Sequence, residues 1–331
     1  MKDLRIAIMT VEMDLHAYAV RKALRDRHGA VCHIVETDCF ADSGRLTWSP
    51  TESFAPTLPA REGREIDVRS LDLIWWRRPN GTSWQPPHGP KMPPGVTDEV
   101  AVDIIAKDCK ATFTGIMLNE FRGVWINNPE ASRNAENKLW QLRAATQAGL
   151  RVPRTLISQD PASIREFCRS LNNNVIVKTV TGTYKVPLSP GKVDEALLAS
   201  DESLRLSPAI YQEKISGNRH LRIQVFGDQI HAALITCDQL DWRFYLNKST
   251  VEPYSLSSDF ESRIHTVMRL LGLRMGIFDF KLTPEGDPVW FEVNPQGQFL
   301  FIEGLSEVKL TNVFTDFLAN EVVGQRARAV G

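Results

Sequence analysis

Apolar and polar positions change period several times along the chain, and those changes mark its elements. Arg5 to Thr10 is a short apolar run, a helix-compatible stretch follows to about His28, and Ala30 to Glu36 is apolar again. Strand, helix, strand in that order opens an α/β unit. Residues 42–67 are polar and hold Pro50, Pro56, Pro59 and Gly63, which reads as loop or an irregular hairpin. Leu71 to Trp76 is strand-like and ends in Arg77-Arg78, then Pro79-Asn80-Gly81. Trp75 and Trp76 point to opposite strand faces, so one is expected in the core and the other exposed. A Pro/Gly-rich loop, Gln85 to Gly95, leads to a helical segment from Thr97 to about Arg122.

Asn128-Pro129 reads as a helix start, with Asn as cap and Pro in the first turn. Ala135, Leu139, Leu142 and Ala145 keep helical spacing up to a stop at Gly149. Beyond Pro153 the pattern predicts strand Thr155 to Ser158, helix Pro161 to Ser170 and strand Asn174 to Val180. Two hairpins follow: Leu221 to Phe226 with Ile230 to Ile235, and Gly276 to Leu282 with Val289 to Asn294. A helix, Ser258 to Leu271, separates them. Boundaries near 125 and 206 divide the chain into 1–125, 126–205 and 206–331.

Bulk properties narrow the classes. A composition of 43% hydrophobic and 24% charged residues, with formal net charge -1, lacks the basic stripe of a nucleic-acid binder. No apolar run approaches the roughly 20 residues that span a bilayer, so no membrane association is expected. The N-terminus has neither the charge pattern nor the cleavage site of a signal peptide. Five scattered cysteines form no CxxC pair and no metal-like spacing with His, which suits a reducing cytoplasm. There is no GxGxxG, P-loop or G-x-S-x-G, so dinucleotide, P-loop and serine-hydrolase readings fail.

Three groups of residues carry chemistry. Asp279 lies in a strand-like run, and Glu292 and Asn294 stand two apart on the return strand, hence on one face. A register pairing 279 with 292 brings two carboxylates and an amide together, a set that a hard cation such as Mg²⁺ would neutralise; the alternative is a solvated acidic hairpin. Lys178 shares a face with Ile176 and Val180, so its packed stem aims a charge at an anion or carbonyl, unless it only snorkels at a strand edge. Lys138, read as mid-helix, gains meaning only from preceding that strand. The extended stretch Glu213-Lys214-Ile215 offers backbone groups and a carboxylate that can read an adenine edge. On the next strand His220, Arg222 and Gln224 share one face, and Leu221, Ile223 and Val225 the other.

The order Lys138, Lys178, Glu213, Arg222, Asp279, Glu292-x-Asn294 resembles the ATP-grasp superfamily. More narrowly, Trp75-Trp76-Arg77-Arg78, Asp241-Trp242-Arg243 and the run Glu292-Val293-Asn294-Pro295-Gln296-Gly297-Gln298-Phe299 resemble microviridin-type graspetide synthetases, which macrocyclise ribosomal peptides. The likeness is specific from about Asn127 to Glu303. It implies a mixed α/β and α+β ATP-grasp fold: an N-terminal pre-ATP-grasp domain (1–125), a central subdomain (126–205) and a C-terminal subdomain with the metal site (206–331). It implies that Lys138 and Lys178 contact ATP phosphates, that Glu213, Lys214 and Ile215 meet the adenine, and that Asp279, Glu292 and Asn294 hold Mg²⁺. Arg222 would face the transferring phosphate, and Asp241 and Arg243 the acceptor. Thr181-Gly182-Thr183 lies where the family has a mobile phosphate lid. His220 departs from the pattern, standing where relatives usually carry Asp, which bears on any ribose or metal contact from that position. A precursor peptide, with leader and acidic core, and a homodimer are the partners the family implies.

The activity expected is phosphorylation of an Asp or Glu side chain of the peptide, then ester or amide formation. Asp241 is the candidate for orienting or accepting the nucleophile's proton, and Arg243 for holding a carboxylate; the alternative for Asp241-Trp242-Arg243 is a surface ion pair beside a packed Trp. Two rivals stand beside this reading. One is a RimK-like ligase adding amino acids to a protein terminus or small molecule. The other is a non-catalytic, nucleotide-dependent peptide-binding module.

Overall fold

Ile6 to Thr10 are buried without a break, as a parallel strand covered on both faces requires. The computed structural model describes residues 4–61, 63–79, 91–182, 188–239 and 241–330. It divides the chain into two compact units, residues 1–129 with 308–331, and residues 130–307.

The first unit holds β1 (Arg5–Thr10), α1 (Leu15–His28), β2 (Val31–Glu36), α2 (Phe40–Ser43), the small hairpin β3 (Thr57–Pro59) and β4 (Glu65–Asp67), β5 (Leu73–Trp76), α3 (Glu99–Glu120) and β6 (Val124–Ile126). The sheet order is β2-β1-β5-β6 with parallel pairing throughout. Asp14 caps α1 by accepting from the His16 N–H, and Gly29, at φ 61°, closes it in the left-handed conformation that glycine adopts without cost.

Two expectations are corrected here. Trp75 and Trp76 are both buried, 1% and 5% exposed, because each sheet face is covered. Trp76 stacks on Phe113 of α3, and Trp75 meets Phe314 of the C-terminal helix, Leu310–Val330. That helix belongs to this first unit and not with the residues that follow 206. Arg77 is 0% exposed and held inside the unit: its Nε donates to Asp14 Oδ2 at 3.2 Å, and its guanidinium lies 5.5 Å from the Trp75 ring. Asn80, Gly81 and most of the loop from Gln85 lie outside the described residues.

The second unit begins with α4 (Pro129–Ala135) and α5 (Lys138–Gln147), where one continuous helix was expected. The break has a local cause. The Asn137 side chain accepts from the Leu139 and Trp140 N–H groups and starts a new helix. Lys138 therefore sits in the first turn of α5, not mid-helix.

Next come β7 (Thr155–Ser158), α6 (Pro161–Arg169), β8 (Val175–Thr179), β9 (Gly191–Lys192), α7 (Glu195–Ala199), α8 (Asp201–Arg205) and β10 (Ala209–Glu213), which form the sheet β7-β10-β8-β9. The larger sheet follows, from β11 (Arg219–Phe226), β12 (Gln229–Thr236), β13 (Thr250–Tyr254), α9 (Ser258–Leu271), β14 (Met275–Leu282), β15 (Pro288–Asn294) and α10 (Leu300–Leu305). Its antiparallel order is β13-β12-β11-β14-β15. Leu221, Ile223, Val225, Phe278 and Phe280 pack with Ile264, Val267 and Leu271 of α9 and Ala144 and Ala145 of α5. One face is thereby committed to core, and the alternate residues face the other way.

Asp14 is held below the ordinary carboxylate range: burial opposes its charge, but Arg77, Thr10 and Arg78 outweigh that. Its stabilisation is therefore present above the ordinary aspartate value of 3.8 and is lost as the pH falls further. Asp14→Ala strips the buried Arg77 of this carboxylate and should lower stability by about 3–5 kcal/mol, read as a drop in urea midpoint with unchanged slope.

Candidate active site

Asp279 on β14 lies directly opposite Glu292 on β15, the register that turn length alone could not decide. A register shift follows between Asp279 and Phe280, so one extra residue of β15, Phe291, is accommodated and the strand bends there. Asp279 is also opposite Arg222 on β11. The Arg222 Nη1 donates to Asp279 Oδ2 at 2.6 Å and its Nη2 to the Gln298 carbonyl at 3.0 Å. That carbonyl comes within reach because the chain after β15 folds back tightly. A Cβ on Gly297 would lie 2.3 Å from Ile277 Cγ1, so only glycine fits. Above the guanidinium sit the rings of Trp242 and Phe301, at 5.8 and 5.7 Å.

Glu292 receives its own cation, Lys138 Nζ donating at 2.5 Å. The contact depends on Gln141, one turn along α5. Its Nε2 donates to the carbonyls of Ala135 and Val293, and its Oε1 accepts from the Val293 N–H. This buried amide ties the start of α5 to β15. The Asn294 head group lies between the two carboxylates, Nδ2 at 3.2 Å from Glu292 Oε1 and 3.5 Å from Asp279 Oδ2.

Electrostatics separate the two acids. Burial and Glu292 push Asp279 up, against Arg222. Glu292 is also desolvated, but Lys138, Arg243 and Lys178 pull it well below the carboxylate range. Lys178 on β8 reaches Gln212 Oε1 at 3.0 Å, and Gln212 Nε2 in turn donates to Thr155. Burial, with Lys138 and Arg243 nearby, brings its ammonium down to about 8, against Glu292. Nearby, Asp241 caps the short turn Trp242–Phe244 and accepts from Arg243 Nε and Nη2 at 2.8 and 2.7 Å. That contact raises the Arg243 pKa.

These groups line one cleft, partly open to solvent, bounded by Lys178, Gln212, Glu213, Lys214 and Ile215 on one side and His220, Asp241, Arg243, Asp279, Lys281 and Glu292 on the other. Of the residues expected from the sequence, Lys178, Glu213, Lys214, Ile215, Asp241, Arg243, Asp279 and Glu292 line the cleft directly, while Lys138, Arg222 and Asn294 reach it through their contacts with Glu292 and Asp279. Asp241–Arg243 forms an ion pair beside the buried Trp242. The Glu213 carboxylate accepts from the Arg154 N–H at 3.2 Å. Gln212, Gln141 and Lys281 were missed. Gln212 and Lys281 fall on the cleft faces of their strands by alternation, whereas nothing in the sequence marks Gln141. Thr183 lies outside the described residues.

Residues 135–317, more than half of the chain, match the RimK-like ATP-grasp domain family. The chain belongs to that family. Solved structures carry the same ATP-grasp fold. The macrocyclase MdnC of Microcystis aeruginosa MRC, bound with precursor peptide MdnA, has a TM-score of 0.83 at 24% identity, covering 96% of this chain and 100% of its own. A RiPP-associated ATP-grasp ligase of Chryseobacterium gregarium, in complex with ADP and a leader and core peptide, has a TM-score of 0.80 at 21% identity over 96% and 97%. The ATP-grasp ligase PsnB, complexed with a phosphomimetic variant of its minimal precursor, Mg and ADP, has a TM-score of 0.74 at 24% identity over 96% and 99%. No curated protein sequence matches the chain. Among the described residues, no helix is long and apolar enough to cross a membrane.

The donors of this ATP-grasp cleft fit a hard divalent cation. Asp279, Glu292 and the Asn294 head group converge, and a half-turn of that amide would present its oxygen. Two carboxylates with room for ligand oxygens is the set Mg²⁺ prefers over an all-protein cage; among the described residues no cluster of three or more His, Cys, Asp or Glu gathers for a metal.

Lys178 should appear in a ¹³C-lysine NMR titration as a resonance moving near pH 8, well below the ordinary lysine value of 10.5, and absent from Lys178→Met. Inorganic phosphate bound beside it should move that transition upward, because a nearby anion favours the charged amine.

Proposed function

We propose that the protein is an ADP-forming ATP-grasp ligase that macrocyclises a ribosomal precursor peptide. The observation carrying this is the convergence of two opposed carboxylates, an amide and the cations Lys138, Lys178 and Arg222 on one cleft. Such a set neutralises and orients a polyphosphate during phosphoryl transfer. ATP would lie with its phosphates toward Lys138 and Lys178 and its base toward Glu213, Lys214 and Ile215. Asp279, Glu292 and Asn294 would hold Mg²⁺, which supplies charge neutralisation at the phosphates. The peptide substrate is supported by the structures of MdnC and PsnB, complexed with precursor peptides, and of the Chryseobacterium ligase, complexed with a leader and core peptide.

In the reaction proposed, an Asp or Glu side-chain oxygen of the peptide's acidic core attacks the γ-phosphorus. The bond to ADP breaks and an acyl phosphate forms. A Ser or Thr hydroxyl, or a Lys amine, then attacks the acyl carbon and displaces phosphate. Arg222, held between Asp279 and the Gln298 carbonyl under two aromatic rings, stabilises charge on the transferring group without having to reorganise. Asp241 takes up or orients the nucleophile's proton; because Arg243 already forks its carboxylate, the pair must open for this. Arg243 Nη1 faces no partner in that fork and is the donor left for a substrate carboxylate. The three-part division at 125 and 206 assigns the phosphate-side lysines to the central subdomain and the metal ligands to the C-terminal one. A leader segment of the precursor, a homodimer and a cytoplasmic setting complete the reading, the last supported by five free cysteines.

Membership of the RimK-like ATP-grasp domain family keeps one rival open, a RimK-like ligase joining amino acids to a protein end or small molecule. Mass spectrometry of an acidic precursor encoded beside this protein, incubated with ATP and Mg²⁺, separates them. Macrocyclisation predicts the loss of one water per ring and stoichiometric ADP, both absent with Glu292→Ala. ADP formed only with free amino acids as acceptors would replace the macrocyclase by the rival. Nucleotide bound but never hydrolysed would leave the non-catalytic binding module. Arg222→Met should keep nucleotide affinity within a few-fold and lower kcat by roughly 10²–10³.

A further inference from the structure

β7 is the outer strand of its sheet, paired with β10 on one side only. That pairing fixes which backbone groups are left over. The Glu213 N–H donates to the Arg154 carbonyl at 2.9 Å, so in the antiparallel register Leu156 and Ser158 bond to β10 opposite Tyr211 and Ala209. Thr155 and Ile157 then turn their N–H and C=O groups outward. Among the described residues those groups meet no hydrogen-bond partner. They open onto a surface groove, walled by Val152, Thr155 and Ile157 on one side and by Leu142, Arg143 and Thr146 of α5 on the other.

The surface beyond the groove is apolar too. Leu139 and Trp140, one turn nearer the start of α5, are 49% and 56% exposed, and helical spacing puts both on a face with Arg143. That face runs toward Lys138, which holds Glu292 in the cleft. The strand side is joined to the cleft as well: the Thr155 hydroxyl accepts from Gln212, whose amide oxygen accepts from Lys178. An open strand edge beside exposed apolar surface is a ready template for pairing with another chain.

We propose that this groove docks the peptide substrate outside its reacting residues, as an extended strand added to the free edge of β7. The inference rests on the reading of the protein as a peptide ligase. Main-chain hydrogen bonds to Thr155 and Ile157 supply affinity without regard to sequence, and alternate side chains supply selectivity. Apolar side chains of the strand settle on Leu142, Val152 and Ile157. Charge selects the rest. The groove is lined by Arg143 on one wall and Arg154 on the other, with no acid between them. Arg154 bonds only to Ser170, and among the described residues neither arginine pairs with a carboxylate. An acidic segment is the strand that such a rim attracts.

The test is amide hydrogen exchange read residue by residue, on the full chain with and without the acidic precursor encoded beside this protein. Without peptide, Thr155 and Ile157 should exchange freely while Leu156 and Ser158 are protected by β10. Saturating precursor should slow the two open amides by about tenfold or more. Ile157→Pro removes an outward N–H and no bond of the sheet, and should weaken precursor binding. Arg143→Glu, on exposed surface, should weaken it by roughly threefold or more. Both should raise KM for the precursor with kcat and ATP affinity unchanged. Precursor that is bound and cyclised while Thr155 and Ile157 stay open overturns the docking and leaves the ligase reading standing, and that arm needs no variant to fold. Slowing that needs no precursor and grows with protein concentration also overturns it, marking the edge as a contact between copies. If the precursor is neither bound nor processed, the ligase reading fails and this proposal falls with it.

Discussion

Two carboxylates placed opposite each other in a largely desolvated cleft cannot both stay charged without cations, and that demand organises the second unit. Asp279 and Glu292 are fixed by strand pairing, so neither can retreat from the other. Arg222 answers one acid from the adjoining strand, and Lys138 answers the other from a helix start far away in sequence. Lys178 and Arg243 add positive potential from two further elements. Burial still keeps Asp279 above the usual range. An arrangement with this much charge gathered in a half-buried cleft is poised to receive a ligand that brings both anions and a metal, in keeping with the proposed ATP site.

Holding the cations in place falls to groups with no chemical part in the site. Gln141 spends its whole amide on backbone groups of α4 and β15, which sets where the first turn of α5 lies and hence where Lys138 points. Asn137 starts that turn. Gly297 lets the chain pass against Ile277 so that the Gln298 carbonyl can hold Arg222. These contacts are rigid and largely buried, so the site is preorganised by the same packing that forms the core. In the first unit the same principle recurs in simpler form, with Asp14 and Arg77 joined just beyond the ends of the inner strands β1 and β5 and Thr10 donating to the carboxylate.

Much of this was legible from residue order. Strand faces follow from a period of two, so alternation alone assigns Glu292 with Asn294, and His220 with Arg222, to the polar face. Glycine and proline placed several turns, and the helix expected at Ser258–Leu271 has those bounds, from its Ser257 cap to Gly272. The helix expected through residue 136 failed because a local side-chain hydrogen bond at Asn137 outweighed apolar spacing. One of Trp75 and Trp76 was expected to be exposed because alternation says which face a residue takes, not whether that face is covered.

Residue order alone thus determined many of the element types and the polar and apolar faces of their strands, since each depends on neighbours a few residues away. The candidate acids and cations were picked out by their order along the chain and its family resemblance. Tertiary structure decided what joins them. The 279–292 register is settled by a whole sheet of backbone hydrogen bonds, with its shift after Asp279. The meeting of Lys138 with Glu292, 154 residues apart, needs α5 docked on β15. The return of the C-terminal helix to the first sheet needs an uncovered apolar face there to receive it. Such contacts arise from burying surfaces remote in the chain, and no local pattern encodes which two surfaces will meet.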